Sequence, residues 1–251
     1  MSQLGPDAVR SALISENDLL ADLAQTSDPE TPIPTCPGWT LANLTTHVGR
    51  GHRWAAAMVA DHATDYLDTK AVPDGRPPRD AEGADRWLRD SAQLVLDNVD
   101  GTGAGVPIWT FTGPRPAQWW IRRRLHEATV HRADVLLALG HEVTMDHDIA
   151  ADGLSEWLTL WQTPGRGRSD ALLAEGHTVH LHGTDGGEWS IRPAGAMIDW
   201  DDNNSDAAVE VSGTALDLLL MMTRRIGTDD PRLTTSGDHA VLSDLLAKTP
   251  F

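Results

Sequence analysis

Through the first 140 or so positions apolar residues recur at intervals of three and four, and each run is closed by prolines, glycines or acidic clusters. Val9, Leu13, Leu19, Leu20 and Leu23 predict a first helix over 8–23, ended by the stretch PETPIPTCPGW. Thr40 stands where an N-cap is expected, ahead of a second helix with a seam of Leu41, Leu44, Val48, Ala55 and Val59. After the breaker AVPDGRPPRD, Trp87, Leu88, Leu94 and Val95 mark the apolar side of a third helix over 82–99. A loop, DGTGAGVPIWTFTGPRP, then carries Ile108, Trp109 and Phe111 into a fourth helix over 116–139, with Gly140 placed to end it.

A fifth helical run covers 149–161, and past TPGRGRSD the period changes. HTVHLHGTD and EWSIRP alternate around Gly186 and Gly187 as a hairpin does, and a third strand follows at 208–213. TALDLLLMMTRR and HAVLSDLLAK return to helical spacing. The expected architecture is α+β, a helical bundle over 1–163 followed by a small α+β domain over 164–251.

Composition narrows the function. The 20 basic residues stand against 37 acidic ones, and a net charge of −17 repels a phosphate backbone, so no nucleic-acid partner is expected. No apolar run approaches the roughly 20 residues that span a bilayer, and MSQLGPDAVR lacks a basic segment followed by an apolar one, so no membrane partner and a cytoplasmic location are expected. The single cysteine, Cys36, excludes an internal disulfide and a cysteine-based zinc knuckle. A metal here would need histidine and carboxylate ligands.

The fourth helix supplies two of these. Four residues advance a helix by about 400°, so Glu127 and His131 in RRRLHEATVHRADV fall within about 40° of each other, one turn apart. His126 points about 100° away. A third ligand must come from another helix, and His47 borders the seam of the second, with His52 on the same helix as a competitor. Two histidines and one carboxylate from bundle helices make an open divalent-metal site, but the same spacing also arises as a solvated polar pair and a hydrogen-bonded histidine. Asp134 is a candidate to orient a ligand, or a solvated carboxylate.

Three stretches resemble the mycothiol-dependent maleylpyruvate isomerase family: TCPGWTLANLTTHVGRGHRWA from Thr35, WTFTGPRPAQWWIRRRLHEATVHRADV from Trp109, and VHLHGTDGGEWSI from Val179. The resemblance implies a DinB-like four-helix bundle followed by a sterol-carrier-like α+β domain. It further implies zinc, or another divalent metal, on His47, Glu127 and His131, with mycothiol as the thiol cofactor. Arg224 and Arg225 match the place where the family sets an arginine near the thiol, although arginines at a helix end also serve its carbonyls. Trp109 and Arg124 are expected to line the cofactor site, Trp109 with Phe111, Trp119 and Trp120 as a wall against water. Cys36 reads as a packing residue, because the reactive thiol belongs to the cofactor.

The function these expectations describe is activation of a thiol for attack on a small-molecule electrophile, by isomerisation or S-transfer. A thiol-independent metal hydrolase and a non-catalytic small-molecule binder are the alternatives. The electrophile and the oligomeric state are not written in the sequence.

Overall fold

A computed structural model of the chain describes residues 4–163, 170–204 and 206–249. The connection expected at 164–169 lies outside them. The fold is α+β, as the change of period predicts, and it divides into two compact units, Gly5–Thr144 and the residues from Met145 onward. No helix among the described residues is long and apolar enough to cross a membrane.

The first unit holds four helices, α1 (Pro6–Thr26), α2 (Leu41–Ala60), α3 (Ala81–Thr102) and α4 (Trp119–Ala138), with a two-residue ribbon of β1 (Pro107–Ile108) and β2 (Arg115–Pro116) in the aromatic loop before α4. Thr40 starts α2 as expected, and the capping is reciprocal. Its hydroxyl accepts from Asn43 N at 3.4 Å, and Asn43 Oδ1 accepts from Thr40 N at 3.0 Å. Gly49 lets α2 approach α3 closely, since a Cβ there would fall 2.3 Å from the Trp87 ring. Leu13, Leu20, Leu44 and Val48 are fully buried, whereas Leu19, assigned to the α1 seam by spacing, is 44% exposed.

Helix α4 departs most from an amphipathic pattern. Polar and apolar side chains alike are buried along it, including Arg123, Arg124, His126, His131, Arg132 and Asp134. Charged groups removed from water need partners, and α4 finds several on its neighbours. Arg132 Nε donates to Glu16 Oε2 of α1 at 2.6 Å and its Nη2 to Thr144 O at 2.7 Å. Arg124 Nε donates to His52 Nδ1 of α2 at 3.0 Å.

The second unit holds α5 (His147–Leu160), α6 (Ala215–Met222), α7 (His239–Lys248) and five strands: β3 (Val179–Gly183), β4 (Glu188–Ala194), β5 (Met197–Asp201), β6 (Val209–Gly213) and β7 (Thr234–Gly237). Their order is β5-β4-β3-β6-β7, with β3 and β6 parallel and the other pairs antiparallel. The expected hairpin forms between β3 and β4 through Gly186 and Gly187, at φ of 121° and 94°. Val179, Leu181, Trp189, Ile191 and Val211 share an apolar core with Leu158 of α5 and Leu218 of α6. Helix α5 thus belongs to this unit, although a boundary at 163 assigns it to the bundle. Trp189 Nε1 donates to Ser155 Oγ at 2.9 Å, and Leu154 and Leu158 have their apolar partners here.

Candidate functional site

Helices α2 and α4 bring His47, Glu127 and His131 together. His47 Nε2 lies 3.2 Å from Glu127 Oε1, and His131 Nε2 lies 3.7 Å from the same oxygen. One ligand atom from each of the three sits within 4.8 Å of the other two. The one-turn spacing on α4 is thus completed by a residue from a second helix. The two imidazoles meet edge to face, with centroids 5.1 Å apart, and Trp39 packs on both, at 4.9 Å from His47 and 6.4 Å from His131. Exposure is graded across the group: the His131 side chain is 5% exposed, Glu127 17% and His47 41%. The group opens on the His47 side.

Behind each buried member stands a charged neighbour. Glu127 turns Oε1 toward the histidines, and Oε2 takes an ion pair from Arg123, four residues earlier, with Arg124 Nη1 at 3.9 Å. Burial pushes the Glu127 carboxyl up, but the Arg123 and Arg124 guanidiniums and the two histidine contacts outweigh it and hold it well below the usual carboxylate range. His131 Nδ1 lies 2.9 Å from Asp134 Oδ2, and Cys36 Sγ donates to the same oxygen at 3.6 Å. Burial lowers the His131 pKa, while Asp134, Cys36 and Glu127 together push it up to about 10. His131 is therefore an imidazolium in the metal-free protein at neutral pH. His52 behaves in the opposite way. Its burial, reinforced by Arg124 and His47 against a smaller pull from Glu127, holds it well below the ordinary histidine range, and its Nδ1 accepts from Arg124.

A neutral His131 could present Nε2 to a cation beside the Glu127 carboxylate, whose pKa is held well below the usual range, a donor set that suits a divalent metal of the zinc type. Cys36, His131 and Asp134 form a second group within 4.8 Å, the other such trio among the described residues. There, however, the Cys36 thiol acts as a hydrogen-bond donor to the carboxylate, and His131 and Asp134 are buried. The first trio has the open side.

The remaining sequence candidates fall elsewhere. His52 and His126 are buried, and neither belongs to the trio. Of the three consecutive arginines, Arg123 and Arg124 are buried and Arg122 is half-buried, so the outward-facing member of the triplet is Arg122. Trp109 joins an aromatic cluster, its ring 6.2 Å from Trp54 and 5.8 Å from Tyr66, and Trp54 continues it to Trp120 at 5.2 Å. Arg224 and Arg225 follow α6 in the second unit. Arg224 has a left-handed backbone (φ 65°) and donates to Leu246 O, and Arg225 Nη1 donates to Thr223 O at 2.6 Å. Sequence reading passed over Trp39 and the pairing of Arg123 with Glu127. The second was available from the four-residue interval.

Comparison with known proteins identifies the family and the fold. The family model described as Mycothiol maleylpyruvate isomerase N-terminal domain matches residues 10–136, and that of the MDMPI C-terminal domain matches 148–244. A crystal structure of a mycothiol-dependent maleylpyruvate isomerase superposes with a TM-score of 0.60 at 16% identity, covering 93% of each chain. A histidine-to-alanine mutant of such an isomerase gives 0.58, at the same identity and coverage. At that identity the likeness is one of fold. No curated protein matches the sequence.

Proposed function

The chain belongs to the mycothiol maleylpyruvate isomerase family, and from that membership we propose that it is a divalent-metal-dependent enzyme that uses mycothiol to attack a small electrophile, with isomerisation or S-transfer as the outcome. The observation that carries the proposal is the meeting of His47, Glu127 and His131 at an open-sided point of the bundle. These three residues would hold the metal, zinc being the ion this donor set suits best. A bound divalent cation supplies one thing: it lowers the pKa of a coordinated thiol from about 8.5, making the nucleophile available at neutral pH.

The chain's own groups prepare that point. Arg123 and Arg124 oppose the cost of burying Glu127 and hold its pKa well below the usual carboxylate range, so a negative oxygen faces the histidines at neutral pH. His131 would hold the metal through Nε2, while its Nδ1 faces Asp134 Oδ2 at 2.9 Å. Trp39 packs against both imidazoles and limits the orientations they can take. His47, the most exposed of the three, borders the side from which substrate and thiol enter. The assignments of Arg224 and Arg225 to thiol binding rest on sequence resemblance, and those of Trp109 and Arg124 on their residue type and position in or near the fourth helix. Alanine variants that raise the KM for mycothiol would support them.

The test is turnover of a panel of small electrophiles, including cis-unsaturated oxo acids, with mycothiol, with glutathione or with no thiol, each with and without added zinc. The expected result is turnover that requires both zinc and mycothiol and is poorly supported by glutathione. Glutathione brings two carboxylates and an amine that a site shaped for a neutral pseudo-disaccharide leaves unpaired. Undiminished turnover without thiol would replace the proposal with a metal hydrolase. Metal binding with no turnover of any electrophile would favour a binding protein.

A further inference from the structure

We propose that Asp134 is a positioning residue that holds His131 with its proton on Nδ1 and its Nε2 lone pair turned toward Glu127 and His47. The inference rests on the ligand set proposed above. His131 lies between two carboxylates of its own helix, Glu127 four residues before it and Asp134 three residues after it. The nearer contact is with Asp134, at 2.9 Å from Nδ1, against 3.7 Å between Nε2 and Glu127 Oε1.

An ionised carboxylate can only accept, so the short contact requires a proton on Nδ1. Once His131 is neutral, that choice leaves the lone pair on Nε2, the nitrogen that shares Glu127 Oε1 with His47. Asp134 is fully buried, and a buried charge is kept only where donors meet it. The Cys36 thiol donates to the same Oδ2. Cys36 thereby restrains the carboxylate from the loop ahead of α2. The arrangement explains why a carboxylate occupies the fully buried third position after His131, where an apolar residue would pack without an electrostatic cost. It also predicts a specific loss on removal of the charge, because outer partners of metal-bound histidines typically control affinity by about 10–100-fold.

The experiment uses the full chain with isotope-labelled histidine, loaded with the spin-active isotope of cadmium as a zinc substitute and observed by nitrogen NMR. The expected spectrum has the His131 Nε2 coupled to cadmium and its Nδ1 still bearing a proton. In competition titrations against a chelator, Asp134→Asn and Asp134→Ala should bind cadmium about 10–100-fold more weakly, with helicity unchanged. Cadmium coupled to Nδ1 of His131 would overturn the inference and move the metal to the trio with Cys36 and Asp134. Affinities of both variants within about threefold of the parent chain would overturn it too. If no histidine couples to cadmium at all, the ligand set itself fails, and with it the reading on which this inference stands. The coupling measurement needs no variant, so it decides the matter even where Asp134→Ala fails to fold.

Discussion

Raising the pH from 7 to 9 should strengthen metal binding and, over the same range, weaken the metal-free fold. Both effects come from His131. Its pKa in the folded, metal-free chain stands at about 10, against an ordinary value near 6.5, because Asp134, Cys36 and Glu127 outweigh the effect of burial. A proton therefore occupies the ring throughout this range and must leave before Nε2 can bind a cation. Each unit of pH then adds up to about tenfold in affinity, or about 1.4 kcal/mol, and the two units add up to about a hundredfold. Glu127 contributes no slope, since its pKa is held well below the carboxylate range and it is ionised throughout.

The stability effect has the opposite sign. A histidine with a raised folded-state pKa gives stability that is complete below its unfolded value of about 6.5 and is lost as the pH rises through about 10. The Tm of the metal-free chain should fall from pH 7 to pH 9, while the upward shift caused by saturating zinc should grow. Chelator competition gives the affinities, and calorimetry in buffers of different ionisation enthalpy counts the released proton, expected to be about one per metal at pH 8. A zinc affinity flat across this range, or binding with no proton release, would show that His131 is not the protonated ligand described.

Two further predictions concern the packing within each unit. Glu16 and Arg132 form a buried, two-point ion pair between α1 and α4, at 2.6 and 3.3 Å. Glu16→Met or Arg132→Met alone should cost about 3–5 kcal/mol in urea unfolding, and the double variant much less than the sum; additive losses would mean that the two side chains do not depend on each other. In the second unit a Cβ on Gly183 would fall 2.0 Å from Gly186 O, so Gly183→Ala should lower stability by about 1–3 kcal/mol. An unchanged unfolding midpoint would contradict the close approach at that hairpin.

The helices were legible because their signals are local. Thr40 caps α2 with a partner three residues away, and Gly186 and Gly187 turn the β3–β4 hairpin with backbone angles that favour glycine. Strands β5 and β7 escaped for the converse reason. MIDWD alternates over five residues with aspartates on one face, and TTSG has no apolar residue, so each owes its place to pairing with β4 or β6. Spacing likewise could not tell that α5 joins the core of the second unit, because a helical seam does not name its partner. At the site, the one-turn relation of Glu127 and His131 follows from helix geometry, but the approach of His47 depends on the packing of α2 against α4. Family resemblance, not periodicity, selected His47 over His52. The buried arginines of α4 were the least readable feature, since a run of three charges looks solvated until Arg123 meets Glu127 and Arg124 meets His52.

The central claim is that His47, Glu127 and His131 hold one divalent metal per chain. Elemental analysis and zinc titration of the chain and of five single variants test it most directly. The account predicts about one zinc per chain, occupancy greatly reduced in His47→Ala, Glu127→Ala and His131→Ala, and much smaller effects in His52→Ala and His126→Ala. Full metal retention in both Glu127→Ala and His131→Ala would contradict it, and loss in His52→Ala with retention in His47→Ala would move the third ligand.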